Sequence, residues 1–253
     1  MDYKSPRIRR TLVRRTLVRD DIAYLLPMLT FLVITWVGGN WKDLYPVSYI
    51  AKTIIVAVML AVLWHQYTRI RWNGWWLGVI VGVVGIFQWV GMQLWLQNTW
   101  PGLIERLTFL PDAARHGIAN HFRPGEDIFD PTQVFASPAT LYAWYAVRIA
   151  GAVLVVPVME ELFWRDFLWR TIISPNDFKM AQVGEWDWKA FVVVMVAFSF
   201  VHGNWWLTSI VWAAMVGWLL VYTRSLGACI IAHAVTNLLL AGYVLWTRDW
   251  AFW

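Results

Sequence analysis

Seven apolar runs, most of them near 20 residues long, leave this chain little choice of fold. They lie at about 22–38, 48–67, 76–97, 142–172, 188–204, 206–223 and 228–247. As an α-helix, a run of about 20 residues matches the roughly 30 Å hydrocarbon core of a bilayer. In lipid every backbone N–H and C=O must be satisfied within the segment, and the runs are too long for barrel strands, so they read as helices. The expected fold class is all-α, a polytopic transmembrane helical bundle of about seven to eight spans. Composition agrees: 15% of the 253 residues are charged and 59% hydrophobic, where a soluble domain carries about 25% charged residues.

Charge is distributed unevenly. Residues 1–19 contain seven Lys/Arg against one acid, Asp2, a net of +6, so the chain's total of +5 leaves −1 for the remainder. Residues 1–21 are therefore read as a basic arm before the first span, with Arg-Thr-Leu-Val-Arg in tandem at 10–14 and 15–19. Such an arm predicts a cytoplasmic N-terminus by the positive-inside rule. Beside a membrane span it argues against a nucleic-acid partner; the partner it implies is the lipid bilayer. Arg69 and Arg71 then fall on the same side, and the long connection at about 98–139, with five prolines, falls outside. Many of the 21 tryptophans flank the apolar runs, as an interfacial aromatic belt requires. The single cysteine, Cys229, excludes an internal disulfide framework and reads as a core residue.

Against this apolar background, three segments carry polar groups: Glu160-Glu161-Leu162-Phe163-Trp164-Arg165, Phe198-Ser199-Phe200-Val201-His202 and His233-Ala234-Val235-Thr236-Asn237. Ionisable side chains at membrane depth are costly and point to function. Residues four apart share a helix face, so Glu161 faces Arg165, while Glu160 is rotated about 100° away and meets Trp164. Glu161 is thereby neutralised. Glu160 has no cation on its own helix, and burial without a cation brings a carboxylate toward the range that general-base catalysis needs. Glu160 is the candidate base. His202 is placed to share a water with it, and His233 and Asn237, also four apart, can together hold a carbonyl oxygen as it becomes negative. Pro157 implies a kink or a break just before the acidic pair.

Each of these residues has an ordinary structural reading. A lone intramembrane His is usually a hydrogen-bonded structural residue, a Glu-Arg pair an internal ion pair, and Asn a link between helices. Their joint occurrence in three spans, two pairs at helical spacing, is what favours a hydrolytic site. A metal is not expected: the two histidines stand 31 residues apart on different spans with no second ligand beside either, and His116 and His121 are five apart in the outer loop.

Glu-Glu-x-x-x-Arg at 160–165, Phe-x-x-x-His at 198–202 and His-x-x-x-Asn at 233–237, in that order, resemble the three motifs of the CAAX prenyl protease and bacteriocin-processing (CPBP) family of intramembrane glutamate proteases. The resemblance covers roughly 142–247. It implies a CPBP-type catalytic core there, with 22–141 forming the N-terminal spans and outer loop. It also implies a peptidase without cofactor or metal, in which Glu160 and His202 activate water, His233 and Asn237 bind the scissile carbonyl oxygen, and Glu161 and Arg165 support them. Its substrate would be a protein or peptide, membrane-associated or lipidated, and its setting the bacterial inner membrane. The tryptophan content and outer loop are similar to a bacterial branch, such as the CAAX-protease-related proteins that accompany exosortases. Two other classes fit the polar groups: a proton-coupled transporter, which should show internal repeats or paired broken helices, and a non-catalytic interaction or immunity protein. One topological tension arises. With the N-terminus inside, Glu160 falls in the inner half of its span and His202 toward the outer half of the next.

Overall fold

A computed structural model describes residues 6–125 and 128–253, with side chains from residue 20 onward except Lys42. The side chains of the basic arm therefore lie outside the described residues, but its backbone from Pro6 is helical and continuous with the first span. Among the described residues every regular element is a helix: α1 (Pro6–Asn40), α2 (Tyr45–Val62), α3 (Trp75–Glu105), α4 (Asp112–Asn120), α5 (Pro131–Val134), α6 (Pro138–Ala150), α7 (Val156–Glu161), α8 (Trp169–Ile173), α9 (Trp188–Phe200), α10 (Trp206–Thr223) and α11 (Leu226–Thr247). α6, α7 and α8 are one continuous helical segment, joined by π-helical turns at Gly151–Val155 and Leu162–Leu168.

Six segments are long and apolar enough to cross a membrane: Asp20–Asn40, Tyr45–Val62, Trp75–Glu105, Pro138–Ile173, Gly203–Thr223 and Leu226–Thr247. The protein is a polytopic helical membrane protein. The seventh expected span differs. α9 has 13 residues, about 20 Å of helix, against a hydrocarbon core of about 30 Å. It starts at an Asp187 cap, whose carboxylate accepts from the Ala190 N–H at 2.8 Å. It ends before Gly203, whose φ of +54° turns the chain back into α10. This shortness removes the topological tension, because His202 sits on a turn that α9 does not carry across the bilayer.

The long connection between α3 and α6 folds onto that turn. Trp206 Nε1 donates to His121 Nε2 at 2.9 Å. Gln93 donates to the Phe122 carbonyl at 3.1 Å and accepts from Thr208 at 2.7 Å. Phe135 stacks on Trp144, with ring centroids 5.5 Å apart.

α11 is seated on α3 through a stripe of small residues. A Cβ on Gly78 would stand 2.4 Å from the Ala228 carbonyl oxygen, on Gly82 2.7 Å from that of Ala232, and on Gly85 2.7 Å from Thr236 Oγ1. Without a hydrophobic drive between helices in lipid, such close backbone approach is a main source of association. Gly82→Val is expected to destabilise the protein by about 1–3 kcal/mol through overpacking, read from unfolding in detergent; an unchanged midpoint would mean that α11 is not held by this contact. At the end of the bundle that carries the N-terminal arm, a second buried ion pair, Asp166 with Arg170, has every side locked. Tyr24 donates to Asp166 at 2.7 Å, and Arg170 donates to Thr68 and to the Ala181 and Lys179 carbonyls. This network ties α1 and two loops to α8, and it holds the acidic pair at the end of α7 one turn above it.

Candidate active site

Glu160 and Glu161 close α7 and are both buried, at 7% and 0% exposure. The continuous helix resolves how Pro157 is accommodated. In the π turn before it, the Val156 N–H bonds to the Gly151 carbonyl five residues back. The Ala152 carbonyl in that register would need the N–H of residue 157, which proline lacks. The Asn237 carboxamide takes its place, donating to the Ala152 oxygen at 2.7 Å. π turns inside α-helices recur at functional sites, and here two of them bracket the acidic pair.

The helical-face argument holds for the pair. Arg165 Nη1 donates to Glu161 Oε1 at 3.1 Å, with both side chains out of solvent. Arg165 also lies over Phe198 and Trp212, its guanidinium carbon 4.8 and 5.4 Å from their ring centroids. Glu161 does more than neutralise this arginine: the same Oε1 is 2.9 Å from His233 Nδ1. A carboxylate oxygen only accepts, so His233 carries its hydrogen on Nδ1 and presents Nε2 as a lone pair when neutral. His202 is set the same way, its Nδ1 donating to the Phe198 carbonyl at 2.7 Å.

An aromatic wall joins the two imidazoles. His202 packs on Phe198 at 4.3 Å, Phe198 stacks on Trp212 at 5.3 Å, and Trp212 meets His233 edge-on at 4.7 Å. Trp89 closes the far side, 5.7 Å from His202. These tryptophans were not singled out by sequence, because one side of an aromatic belt looks like another. Glu160 has only the Trp164 indole as a weak hydrogen-bonding neighbour, and its Oε2 is buried without a partner. The same is true of Glu161 Oε2, Trp164 Nε1 and Arg165 Nη2, so four of the eight such atoms among the described residues fall within six consecutive positions.

Glu161, Arg165 and His233 are bonded directly, and His202 joins them through the wall. Asn237 donates to the Ala152 carbonyl and lines a cavity of about 340 Å³ with Ala152, Lys52 and Arg148. The reason is the proline, which commits the Asn237 amide to the backbone of the facing helix. Lys52 and Arg148 went unnoticed, although a lysine within the apolar run of α2 was a readable signal. No group of three or more His, Cys, Asp or Glu side chains suited to a metal ion gathers among the described residues.

Residues 142–239 match the family model of the type II CAAX prenyl endopeptidases, Rce1-like. The match covers 98 of the 253 residues, and over this stretch the chain is similar to the Rce1-like family. The stretch holds all six candidate residues, from Glu160 to Asn237, and runs from α6 into α11. Neither the curated proteins nor the solved structures contain a match to the chain. The similarity supports a hydrolase of the CAAX-protease type acting on a protein or peptide, within an integral membrane helical bundle.

Proposed function

We propose that this protein is a metal-independent intramembrane endopeptidase that uses Glu160 to activate a water against a peptide bond of a membrane-associated or lipidated protein. The observation that supports the reading best is the contrast within the acidic pair. Glu161 is bonded to both Arg165 and His233, whereas Glu160 beside it has only the Trp164 indole as a weak partner and, among the described residues, its Oε2 has none. Buried unsatisfied polar groups are rare and call for an explanation, and four of them at one turn of helix suit a site that binds an amide and a water.

In this mechanism Glu160 takes a proton from the water as its oxygen attacks the scissile carbonyl, and His202 Nε2 accepts the water's other hydrogen to orient it. The carbonyl oxygen becomes an oxyanion. Asn237 meets it with the N–H not used by Ala152. His233 donates to it only as an imidazolium, through Nε2–H, a charge that the Glu161 carboxylate on Nδ1 supports. Collapse of the intermediate breaks the C–N bond, and Glu160 passes its proton to the leaving amine. The sequence-based oxyanion clamp is thus kept with one added requirement, the protonation of His233.

The catalytic core is assigned to 142–247, with 22–141 supplying walls and the outer loop. The N-terminus is assigned to the cytoplasm of a bacterial inner membrane: Arg69, Arg71, Lys179 and Arg224 line one pocket at the end of the bundle where α1 begins, as the positive-inside rule asks. The test starts from the membrane protein that accumulates uncleaved in a deletion strain, incubated with purified enzyme. Cleavage should persist within about twofold in EDTA and 1,10-phenanthroline, and His202→Ala should slow it by about 10²-fold. Loss of activity in chelator, restored by zinc, would overturn the glutamate mechanism.

A further inference from the structure

At the end of the bundle where α1 begins, a cavity of about 420 Å³ is ringed by positive charge. Its lining includes Arg69 and Arg71 before α3, Arg170 on α8, Lys179 in the loop after α8, and Arg224 between α10 and α11. No acidic residue lines it. The positive-inside rule accounts for cations at this end, but not for separate chain segments bringing them around one hollow. The segments are fixed to one another. Ser225 Oγ and the Gly227 N–H both donate to the Arg71 carbonyl, at 2.7 and 3.0 Å. Gly184, at φ +72°, lets the loop after α8 approach α10. A Cβ there would stand 2.5 Å from the Leu220 carbonyl oxygen and 3.0 Å from Arg224 Cα. Arg170 is buried at 4% exposure. It donates to Asp166, to Thr68 and to the Ala181 and Lys179 carbonyls, which leaves one Nη2 hydrogen uncommitted among the described residues.

The charges around the cavity do not balance. Asp166 pairs with Arg170 and Asp20 with Lys179, but among the described residues Arg69, Arg71 and Arg224 have no ion-pair partner. Guanidinium groups gathered around one hollow favour an anion between them, and their planar forks match phosphate oxygens two at a time. Position narrows the source of that anion. Exposed Trp72, Trp75 and Trp76 follow Arg71 directly, and tryptophans of this kind sit at headgroup level. The leaflet on the cytoplasmic side is the one rich in anionic headgroups.

We infer that this cavity is a phosphate-binding site, taking the headgroup phosphate of an anionic membrane lipid from the leaflet on the N-terminal side. Arg69, Arg71 and Arg224 supply the unbalanced charge, and Arg170 offers its free Nη2–H from the buried side. The volume falls within the range of small-ligand sites, about 300–1,000 Å³. A phosphate held there joins the connection before α3, the loop after α8 and the turn between α10 and α11. It thereby braces α8, whose Arg170 belongs to the network beneath the acidic pair. The inference needs only the basic cavity and is independent of the peptidase reading.

The test is calorimetric titration of the full-length protein in dodecyl maltoside with dihexanoyl-phosphatidylglycerol, dihexanoyl-phosphatidylcholine and inorganic phosphate. Phosphatidylglycerol should bind about tenfold more tightly than either of the others, or better, because only it combines net negative charge with acyl contact. At saturation it should raise the thermal unfolding midpoint by about 5 °C. Arg71→Gln and Arg224→Gln should each weaken its binding about tenfold. Arg248→Gln removes the same charge at the far end of α11 and should leave binding within about twofold, since that distance exceeds the Debye length. These three side chains are exposed, so the unliganded midpoints should stay within about 2 °C of wild type. If either pocket variant fails to fold, Arg69→Gln takes its place with the same expectation. Equal binding of the two lipids, binding of neither, or undiminished binding in the pocket variants overturns the site. So does an equal loss in Arg248→Gln, which would mean diffuse surface charge. Inorganic phosphate binding as tightly as the lipid, and through Arg71, would overturn the lipid source and make this a free-phosphate site.

Discussion

Glu160→Gln is expected to lower peptidase turnover by about 10²- to 10⁴-fold, the range that a positioned general base contributes, while leaving the folded protein as stable as before or slightly more so. The second half of the expectation carries the argument. Among the described residues Glu160 has only a weak hydrogen bond, from Trp164, to lose, and its Oε2 is buried without a partner, so replacing a carboxylate by a neutral amide of the same shape removes a desolvation cost and little contact. A structural glutamate would behave in the opposite way. The measurement pairs initial rates on the native substrate with thermal unfolding in the same detergent. Near-wild-type turnover in the variant would remove Glu160 from the mechanism, and a large loss of stability would make it a structural residue.

Glu161→Leu should do the reverse. It strands the Arg165 guanidinium, 1% exposed, over two aromatic rings with no anion, and breaking one side of a buried pair costs about 3–5 kcal/mol. The double variant Glu161→Leu, Arg165→Met should recover most of that loss, because replacing both members of a buried pair by apolar groups is often neutral. Activity should not return. His233 Nδ1 would have lost the carboxylate that fixes its tautomer at 2.9 Å and supports its charge in the transition state. Stability restored with activity absent separates the two roles of Glu161 by a double-mutant cycle. If the double variant cleaves normally, Glu161 serves Arg165 alone and His233 acts without it.

Much of the site was legible because its spacing is local. Glu161 and Arg165 are four apart on one helix, and their bond follows from α-helical geometry even though a π turn begins at Leu162. The separation of Glu160 from Glu161 came from the same rotation. The spans were legible because lipid requires long apolar runs, and they matched except where a helix stops short. α9 ends before Gly203, and hydropathy alone does not register a left-handed residue at a helix end.

What was missed is contact between helices. The bond from Glu161 to His233 crosses 72 residues, and the capture of Ala152 by Asn237 crosses 85. The second depends on a proline four residues before the first, since it removes the one N–H that the Ala152 carbonyl could have used. The pairing of Lys52 with Arg148 around Tyr49 joins α2 to α6 across an approach that only Gly151 allows.

The sequence by itself therefore determined the class of fold and which member of the acidic pair faces Arg165, since each follows from bilayer thickness or from the 3.6-residue period of one helix. The tertiary structure decided which nitrogen of each histidine is committed, what Asn237 holds and where the Lys52 and Arg148 side chains meet on one ring. Those outcomes depend on how close two helices come and at what register. Glycines at 78, 82, 85 and 151 and the π turns set that distance, and no periodicity within a single helix encodes it.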